Sequence, residues 1–403
     1  MSGLFPRLPD ETRKALYRLQ GIIDETFPLK ARFRAALPKD IAELSRLLTF
    51  ERTERDGSYL GRPALLSAYL RYYLPWNIYR LSRLFTGLPL DLKPNDVVND
   101  FGAGPLTLAA ALWISRPELR DIPLEFRCMD RTAAALDAGR KLFAALTAKT
   151  ACPWTVKTIR GELRAKSLSV EIRGKPAALS AVINVYNELF WNFSPMDTEG
   201  LALFARNQAR LLSSLTGGSV LVVEPGIPRS GEFISILRSF LMEEGRDPVS
   251  PCPHSGPCSF PGGRAAGGHG KAKWCHFAFG VEDAPEELHR LSVAARLPKE
   301  KAALSFILSG PIAQKTGKNG RLSSGTNSQG AAKIRVISDC FPVDSPEEKN
   351  SHGRYGCCKS GIVLVTGSRK GMDSCPSGAL EELAIIGGAF DPKSGARIAR
   401  IKR

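Results

Sequence analysis

The feature that most constrains the fold is an alternation of strand-like and helix-like segments between about residues 95 and 245. Short apolar runs are each followed by a longer segment in which apolar residues recur at helical spacing. Because strands that alternate with helices form βαβ units with right-handed crossovers, the sequence predicts a parallel sheet covered by helices, an α/β fold. The predicted strands are Asp96–Asp100, Leu124–Asp130, Trp154–Arg160, Ala181–Tyr186 and Ser219–Glu224.

A glycine-rich turn follows the first predicted strand. The sequence DFGAGP at 100–105 places Gly102 and Gly104 between this strand and a helix that runs to Trp113. Glycines there let the backbone approach a ligand closely, and a helix N-terminus favours negative charge. The dinucleotide fingerprint has a third glycine where this chain has Thr107, so the sequence does not support a hydride-transfer dinucleotide fold.

Two aspartates complete the pattern. Asp100 directly precedes the first glycine, and with a single GxG this turn resembles motif I of S-adenosylmethionine-dependent methyltransferases. Asp130 ends the second predicted strand, where methyltransferases place an acid on the ribose hydroxyls, and a carboxylate can accept both hydroxyl protons. The resemblance therefore implies that S-adenosylmethionine binds at Asp100, Gly102, Gly104 and Asp130. Glu224, which ends the fifth predicted strand at the same edge, is a further candidate.

The fourth predicted strand ends in NVYNELFW, which offers Asn187 and Glu188 as candidate catalytic residues. In methyltransferases this strand end commonly carries the residues that meet the methyl-accepting atom. Asn187 could bind a base edge and Glu188 could accept a proton. Alternatively, Asn187 caps the following helix and Glu188 lies in its first turn. The segment is not the Asn-Pro-Pro-aromatic signature of amino-methylating enzymes, so no reaction on a base amine is assigned.

Residues 250–277 form a loop too rich in glycine and proline to be a helix or a long strand. It contains Cys252, Cys258 and Cys275, and a metal centre is the simplest source of order for a segment with so little apolar surface. Three sulfurs are one short of a four-cysteine site. The candidates for the fourth ligand are Cys357, Cys358, His254 and His276, and spacing alone leaves both zinc and an iron–sulfur cluster open. Four cysteines are left outside the site: Cys128, Cys152, Cys340 and Cys375.

Four motifs together resemble a known family. SPCPH at 250–254, KWCHF at 273–277, DFGAGP at 100–105 and NEL at 187–189 are similar to the mitochondrial small-ribosomal-subunit methyltransferase-like proteins and their bacterial relatives. The resemblance implies a class I methyltransferase fold, association with small-subunit ribosomal RNA and a four-iron, four-sulfur cluster. On this pattern the ligands are Cys252, Cys258, Cys275 and Cys358, the last followed by Gly361 as in the family, with Cys357 as the alternative.

The net charge of +16 favours a polyanionic partner such as ribosomal RNA or a pre-ribosomal particle. In residues 59–85, arginines interleave with aromatic residues, which suits an RNA-facing surface or, alternatively, a core with its arginines in solvent. No run is long and apolar enough to predict a membrane span, and no secretory or transit peptide is evident, so we expect a cytoplasmic monomer of bacterial type without disulfides.

The sequence thus predicts a class I, Rossmann-like methyltransferase fold with three additions. A helical N-terminal extension covers 1–90, the methyltransferase-like core 91–247, a cysteine-rich metal-binding insertion 248–280, and a small β-rich part with a basic loop near 314–333 and a basic tail covers 281–403. The predicted function is that of an iron–sulfur methyltransferase acting on or with small-subunit ribosomal RNA. Two alternatives stay open: an inactive assembly factor that binds S-adenosylmethionine and RNA, and a zinc-stabilised methyltransferase of another substrate.

Overall fold

The computed structural model of the protein describes residues 3–49, 59–164, 168, 172, 174–194, 197–260, 273–312, 331–343 and 351–401. The glycine-rich part of the cysteine loop at 261–272 and nearly all of the predicted basic loop lie outside the described residues.

The predicted N-terminal extension is helical. Its helices bury one apolar side each, for example Leu16, Leu19 and Ile23 in the first. The last three of its segments form one continuous run over residues 63–85, and the π-helical turn in the middle of this run begins at Tyr69. The segments are Asp10–Thr26, Ala31–Thr49, the 3₁₀ turn Tyr59–Gly61, Pro63–Ala68, the π turn Tyr69–Tyr73 and Leu74–Phe85.

The large sheet contains the first eight strands. Their bounds are β1 Asp96–Phe101, β2 Leu124–Asp130, β3 Thr155–Arg160, β4 Ala177–Ile183, β5 Thr216–Pro225, β6 Arg246–Ser250, β7 Phe277–Gly280 and β8 Lys301–Pro311. The order is β3-β2-β1-β4-β5-β8-β6, with β7 also paired to β8. Strands β1 to β5 are parallel, and β8 runs antiparallel to β5. The predicted parallel α/β sheet is therefore present.

Both faces of this sheet are buried, as a parallel sheet requires. In β5, Leu221 and Val223 face one core, and Val220 and Val222 face the other. The helix Thr107–Ser115 is buried at all nine positions because the N-terminal extension covers its outer side. The remaining helices and 3₁₀ turns are Pro117–Leu119, Ala133–Thr147, Tyr186–Leu189, Phe190–Asn192, Thr198–Leu215, Pro228–Glu243, Glu286–Ala294 and Arg369–Asp373.

The last six strands form a second sheet with its own core. They are β9 Ala331–Val336, β10 Phe341–Pro342, β11 His352–Cys358, β12 Gly361–Gly367, β13 Leu380–Phe390 and β14 Arg397–Arg400. The pairing runs β11-β12-β14-β13-β9, and β9 also pairs with β11, so five strands close into a barrel with β10 at its side. Its interior is apolar and includes Ile334, Val363 and Val365. This barrel is the β-rich part predicted for the C-terminal region.

The predicted start of the C-terminal part at residue 281 does not coincide with the division of the strands between the two sheets. Residues 301–311 were predicted to belong to the C-terminal part, but β8 lies inside the large sheet between β5 and β6. The reason is pairing across a long separation in sequence, which local apolar patterns do not reveal. Within the described residues, no helix has the length and apolar character needed to cross a membrane.

Candidate functional site

A cleft opens at the carboxyl ends of β1, β2 and β4, where the predicted residues meet. This is the edge at which open α/β sheets bind ligands. Among the predicted residues, Asp100, Gly102, Gly104, Asp130 and Glu188 line the cleft. Tyr59, Leu60 and Tyr69 of the N-terminal extension also line it, so the extension forms part of the wall.

The glycine turn is shaped by two left-handed residues. Gly102 has φ +71° and Gly104 has φ +51°, a region that residues with a Cβ atom adopt at a cost. A Cβ atom on Gly102 would lie 2.2 Å from Cγ2 of Val185, whereas a Cβ atom on Gly104 would meet nothing within 4 Å. The first glycine is therefore needed for packing, and the second leaves open space at the cleft.

Asp100 and Asp130 give the cleft its acidic character. The Asp130 carboxylate accepts hydrogen bonds from the backbone N–H groups of Gly104 (2.9 Å) and Thr132 (2.8 Å). Asp100 is 1% exposed, and within the described residues no group donates a hydrogen bond to its Oδ2. Burial, reinforced by the nearby Asp130 charge, raises the pKa of Asp100 to about 8. The cleft thus contains a buried carboxyl oxygen that a donating or cationic ligand group would satisfy.

Glu188 lies between the extension and the core. The Tyr59 hydroxyl donates to its Oε1 (3.1 Å), and Arg131 forms an ion pair with its Oε2 (3.3 Å). Both partners come from elements that flank the cleft, so Glu188 is held at the cleft wall. Its placement is compatible with contact to a bound substrate, and its catalytic role stays a prediction.

Glu224 and Asn187 lie beside the cleft and are not among the residues that line it. The buried Glu224 carboxylate accepts hydrogen bonds from the backbone N–H groups of Val185, Tyr186 and Asn187, at 3.1, 2.8 and 3.0 Å. Burial raises the pKa of Glu224 to about 8, although these donors and Arg80 oppose the shift. The Glu224 side chain, and not the predicted Asn187 cap, therefore accepts the hydrogen bonds of the free N–H groups at the start of helix Tyr186–Leu189. Its role in binding a cofactor remains a prediction.

Asn184 belongs to the NVYNELFW segment that the sequence placed at this cleft, whereas its partner Arg80 is a residue that the sequence reasoning did not place there. Asn184 lines it with a left-handed backbone (φ +56°), and its Oδ1 accepts a 2.6 Å hydrogen bond from Arg80. Arg80 also donates to the Ala303 carbonyl (3.3 Å), and burial lowers its pKa to about 10. No local signal marks Arg80, because it is one of several arginines on the same helical segment.

The expectation that arginines and aromatics of residues 59–85 form an RNA-facing surface is wrong for the residues that the structure buries. Tyr72 and Tyr79 are 1% and 0% exposed, so these aromatic side chains lie in the core, which agrees with the first half of the alternative but not with its solvent-exposed arginines. Arg71 and Arg83 are buried too, in ion pairs with Asp24 (3.0 Å) and Asp283 (3.1 Å). These arginines are internal because acidic partners from distant segments compensate their charge.

The described residues 250–260 of the cysteine loop lie against the outer surface of the barrel, and the thiols of this loop and of β11 influence one another. Burial and the nearby thiols of Cys258, Cys252 and Cys357 raise the pKa of Cys275. Burial raises the pKa of Cys357 to about 12, opposed by a hydrogen bond to Ser259 and reinforced by the thiols of Cys252, Cys258 and Cys358. The Cys357 sulfur lies 3.3 Å from Nε2 of His254 and 3.8 Å from Oγ of Ser259, so Cys357 is the thiol of β11 that contacts the loop.

Cys358, which was preferred as the fourth ligand, points the other way. Successive side chains of a strand face opposite sides, so Cys357 and Cys358 of β11 cannot share one face. Cys358 is packed inside the barrel with Val363 and Met372, and its sulfur lies 3.2 Å from Oγ of Ser360. The preference for Cys358 is corrected on this ground, and Cys357, the alternative, takes its place in the candidate site.

Basic groups surround the four thiols. Arg238 donates from Nε to the Cys252 sulfur (3.2 Å), and Arg335 interacts electrostatically with Cys252 and Cys275. His254 places Nε2 3.3 Å from the Cys357 sulfur, whereas His276 binds the Trp274 carbonyl. In the part of the chain that the structure describes, no group of three or more His, Cys, Asp or Glu side chains is arranged to hold a metal ion. The metal-binding character of this loop therefore stays a prediction.

Comparisons with known proteins bear on the family and the fold. Residues 196–340 match the family described as "mitochondrial small ribosomal subunit Rsm22". The chain is also similar to the magnesium protoporphyrin IX methyltransferase of Synechocystis PCC 6803, solved with bound SAM, at 11% identity over 68% of this chain and 97% of that one, with a TM-score of 0.33. A further similar structure is the precorrin-6y C5,15-methyltransferase of Geobacter metallireducens GS-15, at 10% identity over 59% and 86% of the two chains and a TM-score of 0.29.

No curated protein matches the sequence. The family match contains β5, the cysteine loop through Cys275, and β8, and it confirms the predicted resemblance. The sheet order, with five parallel strands followed by an antiparallel one, agrees with the predicted class I methyltransferase fold, which is confirmed.

Proposed function

We propose that this chain, whose residues 196–340 match the family described as "mitochondrial small ribosomal subunit Rsm22", is an S-adenosylmethionine-dependent methyltransferase that acts on small-subunit ribosomal RNA during ribosome assembly. The observation that carries the proposal is the cleft, where the glycine turn, Asp100 and Asp130 meet at the ligand-binding edge of the sheet. A net charge of +16 supports a polyanionic substrate.

The cleft residues fit S-adenosylmethionine. The unsatisfied Oδ2 of Asp100 suits the ammonium group of the methionine part, and the Asp130 side chain has lone pairs left to accept hydrogen bonds from the ribose hydroxyls. Gly104 leaves the backbone open on the ligand side. Once bound, the cofactor supplies an electrophilic methyl group. The chain's own residues bind and orient it, while the N-terminal extension, through Tyr59 and Tyr69, shields it from water.

Glu188 is the residue of this chain best placed to act on a substrate proton. It lines the cleft, and its carboxylate is held by Tyr59 and Arg131. A carboxylate so placed is a group that can accept a proton from a bound substrate. Glu188 would therefore orient the accepting atom or take its proton.

We also propose that Cys252, Cys258, Cys275 and Cys357 hold a four-iron, four-sulfur cluster. The support is geometric: the sulfur of Cys357 contacts the loop at His254 and Ser259, and Arg238 donates to the sulfur of Cys252. The positive charges of Arg238 and Arg335 oppose the rise in the pKa of Cys252 that burial causes, and they suit a negatively charged cluster. A cluster of several irons spans more space than one ion, so its ligands need not meet at the close spacing of a zinc site. The cluster would join the loop to β11 of the barrel.

Cofactor binding is tested by calorimetric titration of purified protein with S-adenosylmethionine. We expect Asp130→Asn to weaken binding at least tenfold, because the amide loses one acceptor and its charge. The matched control is Asp137→Asn, a solvent-facing aspartate paired with Arg140 and Lys141, which should bind normally. Equal affinity in wild type and Asp130→Asn would refute the assignment of Asp130.

The reaction is tested by mapping modified nucleotides in small-subunit RNA with and without the gene. The proposal expects a methyl group that is missing without the gene and is restored by wild type but not by Asp130→Asn. Unchanged methylation together with slowed subunit assembly would refute turnover and favour the assembly factor.

A further inference from the structure

The barrel has a recognisable connectivity. In chain order its five strands are β9, β11, β12, β13 and β14. Around the barrel the neighbouring strands are β9, β11, β12, β14 and β13, and β9 pairs with both β13 and β11, so the spatial order of the five strands is 1-2-3-5-4-1. The third and fifth strands are parallel, and the helix Arg369–Asp373 connects the third to the fourth. This is the arrangement of the OB barrel, whose ligands bind on the second and third strands and their adjoining loops. Fold alone assigns no ligand, so the site itself must carry the inference.

The outer face of β11, the second strand of the barrel, is covered by the cysteine loop at one residue and borders a cavity at another. Tyr355 and Cys357 alternate with residues that point into the barrel, so both lie on the outer face of β11. At Cys357 this face is covered by the cysteine loop, through contacts to His254 and Ser259. At Tyr355 it borders a cavity of about 330 Å³, within the size range of small-ligand sites.

Among the described residues, five aromatic side chains line this cavity, here called the aromatic pocket; Phe260 is buried, and the other four form two partly exposed pairs. Trp274 and His276 stack with ring centroids 4.7 Å apart, and Phe341 and Tyr355 pack at 5.1 Å. None of the four is fully buried. Partly open aromatic faces beside a cavity are what an unpaired nucleobase stacks on, and such stacking tolerates any base.

Charge around the aromatic pocket also suits a nucleic-acid backbone. Nζ of Lys273 lies 4.8 Å from the centroid of the Tyr355 ring and lines the pocket. Of the described residues, the lining includes a single carboxylate, Asp339, whose charge is compensated by an ion pair with Lys301 and by Arg354 at 4.0 Å. A phosphate that approaches Lys273 would therefore meet little net repulsion.

The aromatic pocket is coupled to the methyltransferase sheet. Nε1 of Trp274 donates a 3.1 Å hydrogen bond to the carbonyl of Gly226, which follows β5 at the carboxyl edge of the sheet. The S-adenosylmethionine cleft opens at the same edge. A nucleic-acid strand bound in the pocket would thus lie on the side of the molecule where methyl transfer is proposed.

We propose that the aromatic pocket binds unpaired bases of single-stranded RNA, with Lys273 contacting the phosphate backbone. This assignment rests on the proposed function for its source of RNA, and it deepens that function by naming a single-stranded segment as the part recognised.

The test is fluorescence anisotropy with a labelled oligouridylate of about 12 nucleotides, a length that covers one OB barrel, and with an RNA duplex of the same length. The variants are Tyr355→Leu and Phe341→Leu, which keep apolar volume but remove the rings. We expect each to weaken single-strand binding about 5- to 150-fold, the loss that follows from removing one stacking ring. The matched control is Tyr17→Leu, at an aromatic residue 51% exposed on the first helix, and it should bind as wild type.

Lys273→Gln provides a second readout. It should lower the slope of log affinity against log salt concentration by about 0.7, as expected for one lost phosphate contact to a single strand. Because folding could confound these results, each variant is also titrated with S-adenosylmethionine, whose binding should not change.

The outcomes separate the two proposals. If Tyr355→Leu and Phe341→Leu bind the single strand as tightly as wild type, or if wild type prefers the duplex, the aromatic pocket is not an RNA site, whereas the cleft assignment stands. If wild type fails to bind S-adenosylmethionine but loses single-strand affinity in both ring variants, the pocket stands and the methyltransferase proposal fails.

Discussion

Replacing Gly102 by alanine tests the geometry of the cleft most directly. The new Cβ atom would lie 2.2 Å from Cγ2 of Val185, and the backbone would keep a φ of +71°. Left-handed backbone costs an L-residue about 1–2 kcal/mol. Overpacking against a neighbouring side chain adds about 1–3 kcal/mol. We therefore expect Gly102→Ala to lower the free energy of unfolding by about 2–5 kcal/mol.

Two further variants separate these contributions. Gly104→Ala has a φ of +51° but no atom within 4 Å of the added Cβ, so it should lose only about 1–2 kcal/mol. Val185→Ala removes the Cγ2 atom that obstructs Gly102→Ala. In the double variant the overlap disappears. Its loss in the free energy of unfolding should therefore be smaller than the sum of the two single losses by about 1–3 kcal/mol.

Urea denaturation of the wild type, the three single variants and the double variant measures these energies, and the linear extrapolation gives the free energy of unfolding of each. The reasoning is refuted if Gly102→Ala is no less stable than Gly104→Ala. It is also refuted if the coupling with Val185→Ala is below about 0.5 kcal/mol, the level at which independent sites add.

Three further predictions follow from the same structure. Cys357→Ser should lower both iron content and folded yield after anaerobic purification, whereas Cys358→Ser should keep its iron; the reverse result would restore Cys358 as the ligand. Because the pKa of Asp100 is raised to about 8, the native state holds a proton that the unfolded chain releases near pH 4, so the stability of ligand-free protein should fall as pH rises from 4 to 8. Asp100→Asn should flatten this fall in a series of melting temperatures, and an unchanged slope would contradict the assignment. Arg246→Lys should cost about 1–3 kcal/mol in urea denaturation without changing S-adenosylmethionine affinity, because the buried guanidinium donates to Ser213, Thr216 and Gly218; normal stability would show that those bonds matter little.

Short-range patterns in the sequence were enough to predict the central architecture. The helix-strand alternation predicted the parallel sheet, because hydrophobic period and turn residues are local properties. The positions of Gly102, Gly104 and Asp130 at one sheet edge followed as well, since parallel strands bring their carboxyl ends together. The N-terminal extension was also predicted as helical, yet the burial of Arg71 and Arg83 was not, because their partners Asp24 and Asp283 lie far away in the chain.

The amino-acid sequence by itself determined the α/β core, the glycine turn and the three cysteines of the loop, because each depends on neighbours within a few residues. Only the tertiary structure decided that Cys357 and not Cys358 faces that loop, since this depends on which side of β11 is turned outward. It also decided that Glu224 holds the start of the helix at Tyr186, that β8 joins the large sheet, and that five C-terminal strands close into a barrel. These features arise from pairing between distant segments, and such pairing is set by the energy of the whole packed chain and leaves no local signature.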